Sequence, residues 1–259
     1  MPSSSWLLRP VAGRGLGLRL LCFPYAGGGG SLYVPWAREM TSVAEICAVQ
    51  PPGREGRFRE PAYNDLTQLM DAAYEALAPY LDVPFALFGH SMGALLAFEF
   101  ARRIRRAGGP QPLRLLASGH RAPQLPSPHP PIAHLPDAEF ITEVRQRYGG
   151  VPDEVLAHAE LMALLLPCLR ADMALIEGHR HTDEAPLDCP VSVYGGLDDA
   201  EATETELATW RTQTSGAFRM ERFPGTHFYL RNRRTELLLA IRRDLADVVE
   251  PVVSTIRPR

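Results

Sequence analysis

One serine in this chain of 259 residues stands where it could do chemistry. In "FALFGHSMGALLAFEF", Phe85 to Phe100, Ser91 sits at the apex of a turn between Gly89 and Gly93. The apolar run before it has the length of a strand, and the apolar residues after it recur at helical spacing. A strand passes into a helix within about two residues only through strained backbone, for which glycine supplies the room. Such a turn lifts the hydroxyl above the carboxyl edge of a sheet and aims the next N–H, that of Met92, at a reacting oxygen.

A serine hydroxyl is a weak nucleophile until a base takes its proton, and after such a turn the order along the chain is serine, acid, histidine. Of the eight histidines, His227 in "RFPGTHFYL" is the best placed: it follows a Pro-Gly turn and precedes the last helical pattern. The acid should close a strand before it, and "CPVSVYGGLDDA" offers Asp199, with its neighbour Asp198 as the alternative. A second oxyanion donor is expected from "FPYAGGGGSLY", whose glycines let backbone amides approach a substrate. Ala26 is that donor, with Tyr25 and Gly27 beside it against the substrate. The loop holds no G-x-G-x-x-G between strand and helix, which argues against a dinucleotide site. His90 is expected to turn into the helix packing, and His120, closing a strand, to line the cavity. His179 and His181 in "GHRHTDE" have a weak metal-like spacing that an exposed helix end explains better, so no metal is expected.

These residues need a scaffold. The runs "LRLLCFPY", "AEICAVQPP", "FALFGH", "LRLLASGH" and "CPVSVYGG" are each closed by Gly, Pro or both, and helical patterns lie between several of them. Strands alternating with helices imply a mostly parallel central sheet with helices on both faces. Residues 121 to about 185 differ: after the proline-rich "RAPQLPSPHPP" come amphipathic helices with starts at Asp137 and Asp153. They read as a helical lid inserted into a single domain spanning residues 1–259. An apolar stripe through Leu161, Leu164, Leu165 and Leu169 has helical spacing and serves either core packing or a pocket, with Leu161 and Leu165 as the substrate-facing choices.

Composition excludes several classes. All 27 basic residues are arginine, so a Walker A loop and a pyridoxal-phosphate Schiff base, each of which needs lysine, are ruled out. A net charge of −3 without long single-sign blocks argues against nucleic acid. Cys22, Cys47, Cys168 and Cys189 lack metal or disulfide-framework spacing and read as buried thiols. With neither a signal-peptide pattern nor a run long enough to span a bilayer, the reading is a cytoplasmic protein away from membranes.

The glycine loop, "QPPGREGRFRE", "GHSMGALLAFE", the lid sequence and "YGGLDDA" followed by "FPGTHFYL" resemble the type II thioesterases that accompany polyketide synthases and nonribosomal peptide synthetases. The resemblance covers nearly the whole chain. It implies an α/β-hydrolase fold and a Ser91–His227–Asp199 triad. It also implies hydrolysis of aberrant or stalled acyl groups from the phosphopantetheine arm of acyl or peptidyl carrier proteins, with no metal or cofactor. Family members often carry G-G-D-x-D-P where this chain has "GGLDDA"; aligning the glycines puts the acid on Asp199. A different serine hydrolase, or a noncatalytic binding protein of the same fold, is the alternative. A monomer is expected. Of three arginine clusters, the one with Arg54, Arg57 and Arg59 follows a strand at the carboxyl edge and is the expected contact for an acidic carrier, through Arg57 and Arg59, ahead of Arg102–Arg106 and Arg231–Arg234, with internal ion pairs that order the loop as the alternative.

Overall fold

The computed structural model describes residues 4–11, 17–149 and 158–256. The five apolar runs become the buried strands β2 (Arg19–Phe23), β3 (Glu45–Val49), β4 (Phe85–His90), β5 (Leu115–Ser118) and β6 (Val191–Gly196). Two strands not foreseen complete the sheet at its edges, β1 (Leu7–Leu8) and β7 (Phe218–Phe223). The order is β1-β3-β2-β4-β5-β6-β7, with only β1 antiparallel. Chain direction across the sheet therefore reverses between β2 and β4. Ligands of open parallel sheets bind beyond the carboxyl ends of strands at such a switch point. The glycine loop leaves β2 there, and Ser91 leaves β4 beside it.

Alternate residues of each strand serve opposite faces. Leu21 and Phe23 of β2 join Leu87 of β4 against helices α2 (Leu66–Leu77) and α3 (Met92–Arg106). Leu20 and Cys22 join Ala86 and Phe88 under α1 (Val34–Glu39) and the last helix, which runs over Arg234–Ile256. Because both faces are covered, the strands are apolar throughout instead of alternating.

Between β5 and β6 lie α4 (Asp137–Tyr148) and α5 (Ala159–Gly178). The first starts at Asp137, as the sequence predicts; the start expected at Asp153 lies outside the described residues. These two helices share a small core of their own through Ile132, Phe140, Val144, Leu169 and Met173. Short helices α6 (Glu204–Ala208) and α7 (Tyr229–Asn232) follow, and Arg234–Ile256 is α8. All four cysteines are buried and free. Among the described residues no helix is long and apolar enough to cross a membrane.

Candidate active site

Ser91 has φ +54° and ψ −123°, a conformation few residues other than glycine adopt, worth about 1–3 kcal/mol of strain that its surroundings must hold. Its amide donates to the Ser118 carbonyl at 2.8 Å, fixing the turn to β5. Both flanking glycines are sterically required. A Cβ at Gly89 would lie 1.9 Å from the Gly93 carbonyl oxygen, and one at Gly93 would lie 2.2 Å from that of Phe23. The turn thus packs directly onto the end of β2.

His227, in the loop between β7 and α7, stands 2.9 Å by Nε2 from Ser91 Oγ and 2.9 Å by Nδ1 from Asp199 Oδ2. Asp199 also accepts the Glu201 amide through Oδ1, so both of its buried oxygens are engaged. Asp198 is exposed and takes no part, its amide donating to the Gly225 carbonyl. The choice between the two carboxylates is a matter of which side of the turn after β6 faces inward. Such a chain can pass a proton from hydroxyl to imidazole while the carboxylate holds the ring in the required tautomer.

Ala26 and Tyr25 line the same cavity as Ser91. The amides of Ala26 and Met92 donate to no acceptor among the described residues, whereas those of Gly27 and Gly28 are both bonded. Two N–H groups without acceptors beside a serine hydroxyl are the donor pair an oxyanion needs.

Two cavities meet at Ser91 and His227. One, of about 250 Å³, is walled mainly by apolar groups, among them Tyr25, Leu165, Leu169, Met173, Ile176 and Phe228. The other, of about 430 Å³, opens toward β5 and carries polar groups including Gln124, Ser127, Glu177 and Arg180. Tyr25, Gly27 and Leu165 line the first; Leu161 does not. Leu161 is 49% exposed and Leu164 62% exposed. A helix of 20 residues is about 30 Å long, and α5 covers the cavity from Leu165 to Ile176 while Leu161 and Leu164 overhang it toward solvent.

His90 corrects another expectation. Its ring points away from helix packing into a polar and aromatic nest under His227, with Nδ1 2.9 Å from Ser118 Oγ, which lies 2.7 Å from the Tyr229 hydroxyl. Burial, then the charges of His227 and Arg231, push its imidazole well below the ordinary value, so it stays neutral. His120 lines the polar cavity and is held to about 4, mainly by burial. His179 and His181 are half-buried, not exposed, and come within 4.8 Å of each other and of Glu99. Arg102 already donates to Glu99 at 2.9 Å and Arg106 lies 3.7 Å from it, so two guanidiniums oppose a cation there.

The arginine cluster chosen for docking is also corrected in part. Arg57 is buried, paired with Glu60 at 2.6 Å, donates to the Gln50 carbonyl and stacks on Trp6. Arg59 remains exposed beside Phe58. Sequence reasoning missed Tyr148, whose ring lies 5.4 Å from that of His227, and the Arg54–Asp172 pair behind the glycine loop. "PPGREGR" stood out as a motif, but nothing in its spacing names a partner 118 residues away.

The thioesterase-domain family profile matches residues 18–245. The chain belongs to that family. A protein of Brevibacillus parabrevis named linear gramicidin dehydrogenase LgrE is 41% identical, the match covering 93% of each chain. The RedJ thioesterase of the prodiginine pathway in Streptomyces coelicolor superposes with a TM-score of 0.83 at 36% identity, covering 92% of this chain and 98% of that one. The type II thioesterase BorB of the borrelidin cluster gives 0.83 at 33% identity, over 95% and 98%. The chain is thus a thioester hydrolase of the α/β-hydrolase fold, with type II thioesterases of polyketide and nonribosomal peptide pathways as its neighbours.

Proposed function

We propose that this thioesterase clears aberrant or stalled acyl groups from the phosphopantetheine arm of acyl or peptidyl carrier proteins, acting as a one-domain monomer through an acyl-enzyme on Ser91. The observation that carries the reading is His227 held within 2.9 Å of both Ser91 and Asp199, near two amides that donate to no acceptor among the described residues. His227 takes the Ser91 proton as Oγ bonds to the thioester carbonyl carbon. The amides of Ala26 and Met92 hold the resulting oxyanion, and the carbon–sulfur bond breaks as the pantetheine thiol leaves with that proton. Water then attacks the acyl-enzyme with His227 again as base, releasing the acid. No metal or cofactor enters these steps. The apolar cavity takes the acyl chain. The polar one takes the arm, whose amides and hydroxyls need hydrogen-bond partners.

Hydrolysis of an octanoyl carrier protein, compared with a matched oxygen ester, tests the substrate class, and mass spectrometry of the fluorophosphonate adduct tests the nucleophile. The expected result is a strong preference for the thioester and an adduct on Ser91. Preference for the oxygen ester would point to a general esterase, and an unlabelled Ser91 would sink the mechanism.

A further inference from the structure

The loop after β2 must present the Ala26 amide to the reacting oxygen, yet its four consecutive glycines make it the least self-determined backbone in the chain. Other segments hold it. Asp172, fully buried in α5, accepts the Gly27 N–H at 2.8 Å through Oδ2. Arg54 grips the same carboxylate with two parallel hydrogen bonds, Nη1 to Oδ2 at 2.9 Å and Nη2 to Oδ1 at 2.8 Å. Its Nη1 also donates to the Gly28 carbonyl at 3.1 Å. The Arg54 carbonyl accepts from Gln50, whose Oε1 in turn accepts the Gly30 amide. Three of the four glycines are therefore tied by side chains from outside the loop.

An ion pair this deeply buried is poor support for stability, since removing two charges from water costs about as much as their attraction returns. Its geometry explains more. The Gly27 N–H belongs to the rigid peptide plane that follows Ala26, so fixing that bond's direction leaves only the two Ala26 dihedrals between it and the Ala26 amide. A shift of about 1 Å in such a donor is enough to cost about 100-fold in rate.

We propose that Asp172 and Arg54 are positioning residues that orient the Ala26 amide toward the oxyanion formed on Ser91. This rests on the mechanism above and deepens it. Asp172 lies on the helix whose Leu165, Leu169, Met173 and Ile176 wall the apolar cavity. The same carboxylate thus links the cavity wall to the donor loop.

The test uses the intact chain with octanoyl N-acetylcysteamine as a carrier-free substrate and an octanoyl trifluoromethyl ketone, which forms a tetrahedral oxyanion on a reactive serine. Asp172→Asn keeps the shape but removes the charge that grips Arg54. It should lower kcat about 10- to 100-fold with KM within about twofold, and raise the Ki of the ketone by a similar factor. Arg54→Lys, which leaves the Asp172 carboxylate on Gly27, should show the same pattern more weakly, and it carries the test alone if Asp172→Asn does not fold. A lowered Tm with kcat and Ki unchanged would mean a purely structural pair and overturn the proposal. A rise in KM alone would overturn it too, assigning the pair to the cavity wall. Ser91→Ala run in parallel separates the two levels: if it remains active the mechanism itself has failed, whereas an inactive Ser91→Ala beside an unimpaired Asp172→Asn refutes only the positioning role.

Discussion

At the scale of single residues, the proposed chemistry depends on which of two adjacent carboxylates faces the imidazole. Sequence position does not separate Asp199 from Asp198 by itself, because a turn after a strand can present either neighbour. Burial decides it: Asp199 is enclosed and 2.9 Å from His227, while Asp198 is exposed. Asp199→Asn should therefore reduce kcat by about 10⁴-fold through loss of the correct His227 tautomer, and Asp198→Asn should change it less than twofold. Steady-state kinetics of the two variants on one thioester check this, and the reverse ranking would remove Asp199 from the mechanism. Ser91 is legible because the backbone demands of its turn restrict what may stand around it, and His227 because a histidine after a Pro-Gly turn completes the order serine, acid, histidine. Asp172 is not, because its partners are a loop 145 residues earlier and an arginine 118 residues earlier, and only the tertiary fold brings them together.

At the scale of elements, the five apolar strands were legible because strands buried on both faces leave a continuous apolar run. The edge strand β7, "FRMERF", is interrupted by Arg219, Glu221 and Arg222 and is half-buried at most positions, so it has no such run. β1 is two residues long and gives no pattern at all. Of the stripe Leu161, Leu164, Leu165 and Leu169 only the last two line the cavity, because helical spacing defines a face and not where the helix leaves the cavity. Leu165→Trp should fill the apolar cavity and shift kcat/KM toward shorter acyl chains, while Leu161→Trp, on the exposed overhang, should leave the profile unchanged. An acyl series from acetyl to dodecanoyl reads this out, and identical profiles for both variants would detach α5 from selectivity. The segment after α5 is tied to α3 by Glu184, whose carboxylate meets Arg102, Arg105 and Arg106 within 2.9 Å. Burial alone would raise its pKa, but hydrogen bonds from Arg105, Arg106 and Arg102 outweigh that and pull it from 4.5 to about 2. A folded-state pKa below the unfolded one stabilises fully above about 4.5, and that contribution disappears as pH falls toward 2. Glu184→Gln should thus lower Tm by an amount that is constant from pH 7 down to about 5 and shrinks as pH falls from about 4.5 toward 2. A gap between the two melting curves that did not depend on pH would refute the assignment.

At the scale of the whole molecule, a net charge of −3 sets the problem of meeting a carrier, since carriers of this kind are generally acidic and two negative surfaces repel at long range. The approach then depends on local basic groups that are free to face outward. Many of this chain's arginines are not: Arg54 is buried behind the glycine loop, Arg57 is stacked on Trp6 and paired with Glu60, and Arg102, Arg105 and Arg106 are engaged by Glu99 and Glu184. Arg59 is exposed at the carboxyl edge and has no carboxylate partner among the described residues. The expectation that treated Arg57 and Arg59 alike therefore divides. Arg57→Glu should lose turnover on carrier-bound and carrier-free thioesters together, with a lowered Tm, because it breaks internal contacts and buries an unpaired charge. Arg59→Glu should leave Tm and the carrier-free reaction unchanged while slowing association with the loaded carrier, an effect that fades as salt rises because rim charges act mainly on the on-rate. Stopped-flow association with octanoyl carrier protein at about 20 and 300 mM salt measures it. Equal rates for wild type and Arg59→Glu at the lower salt would place the docking surface on another part of the molecule.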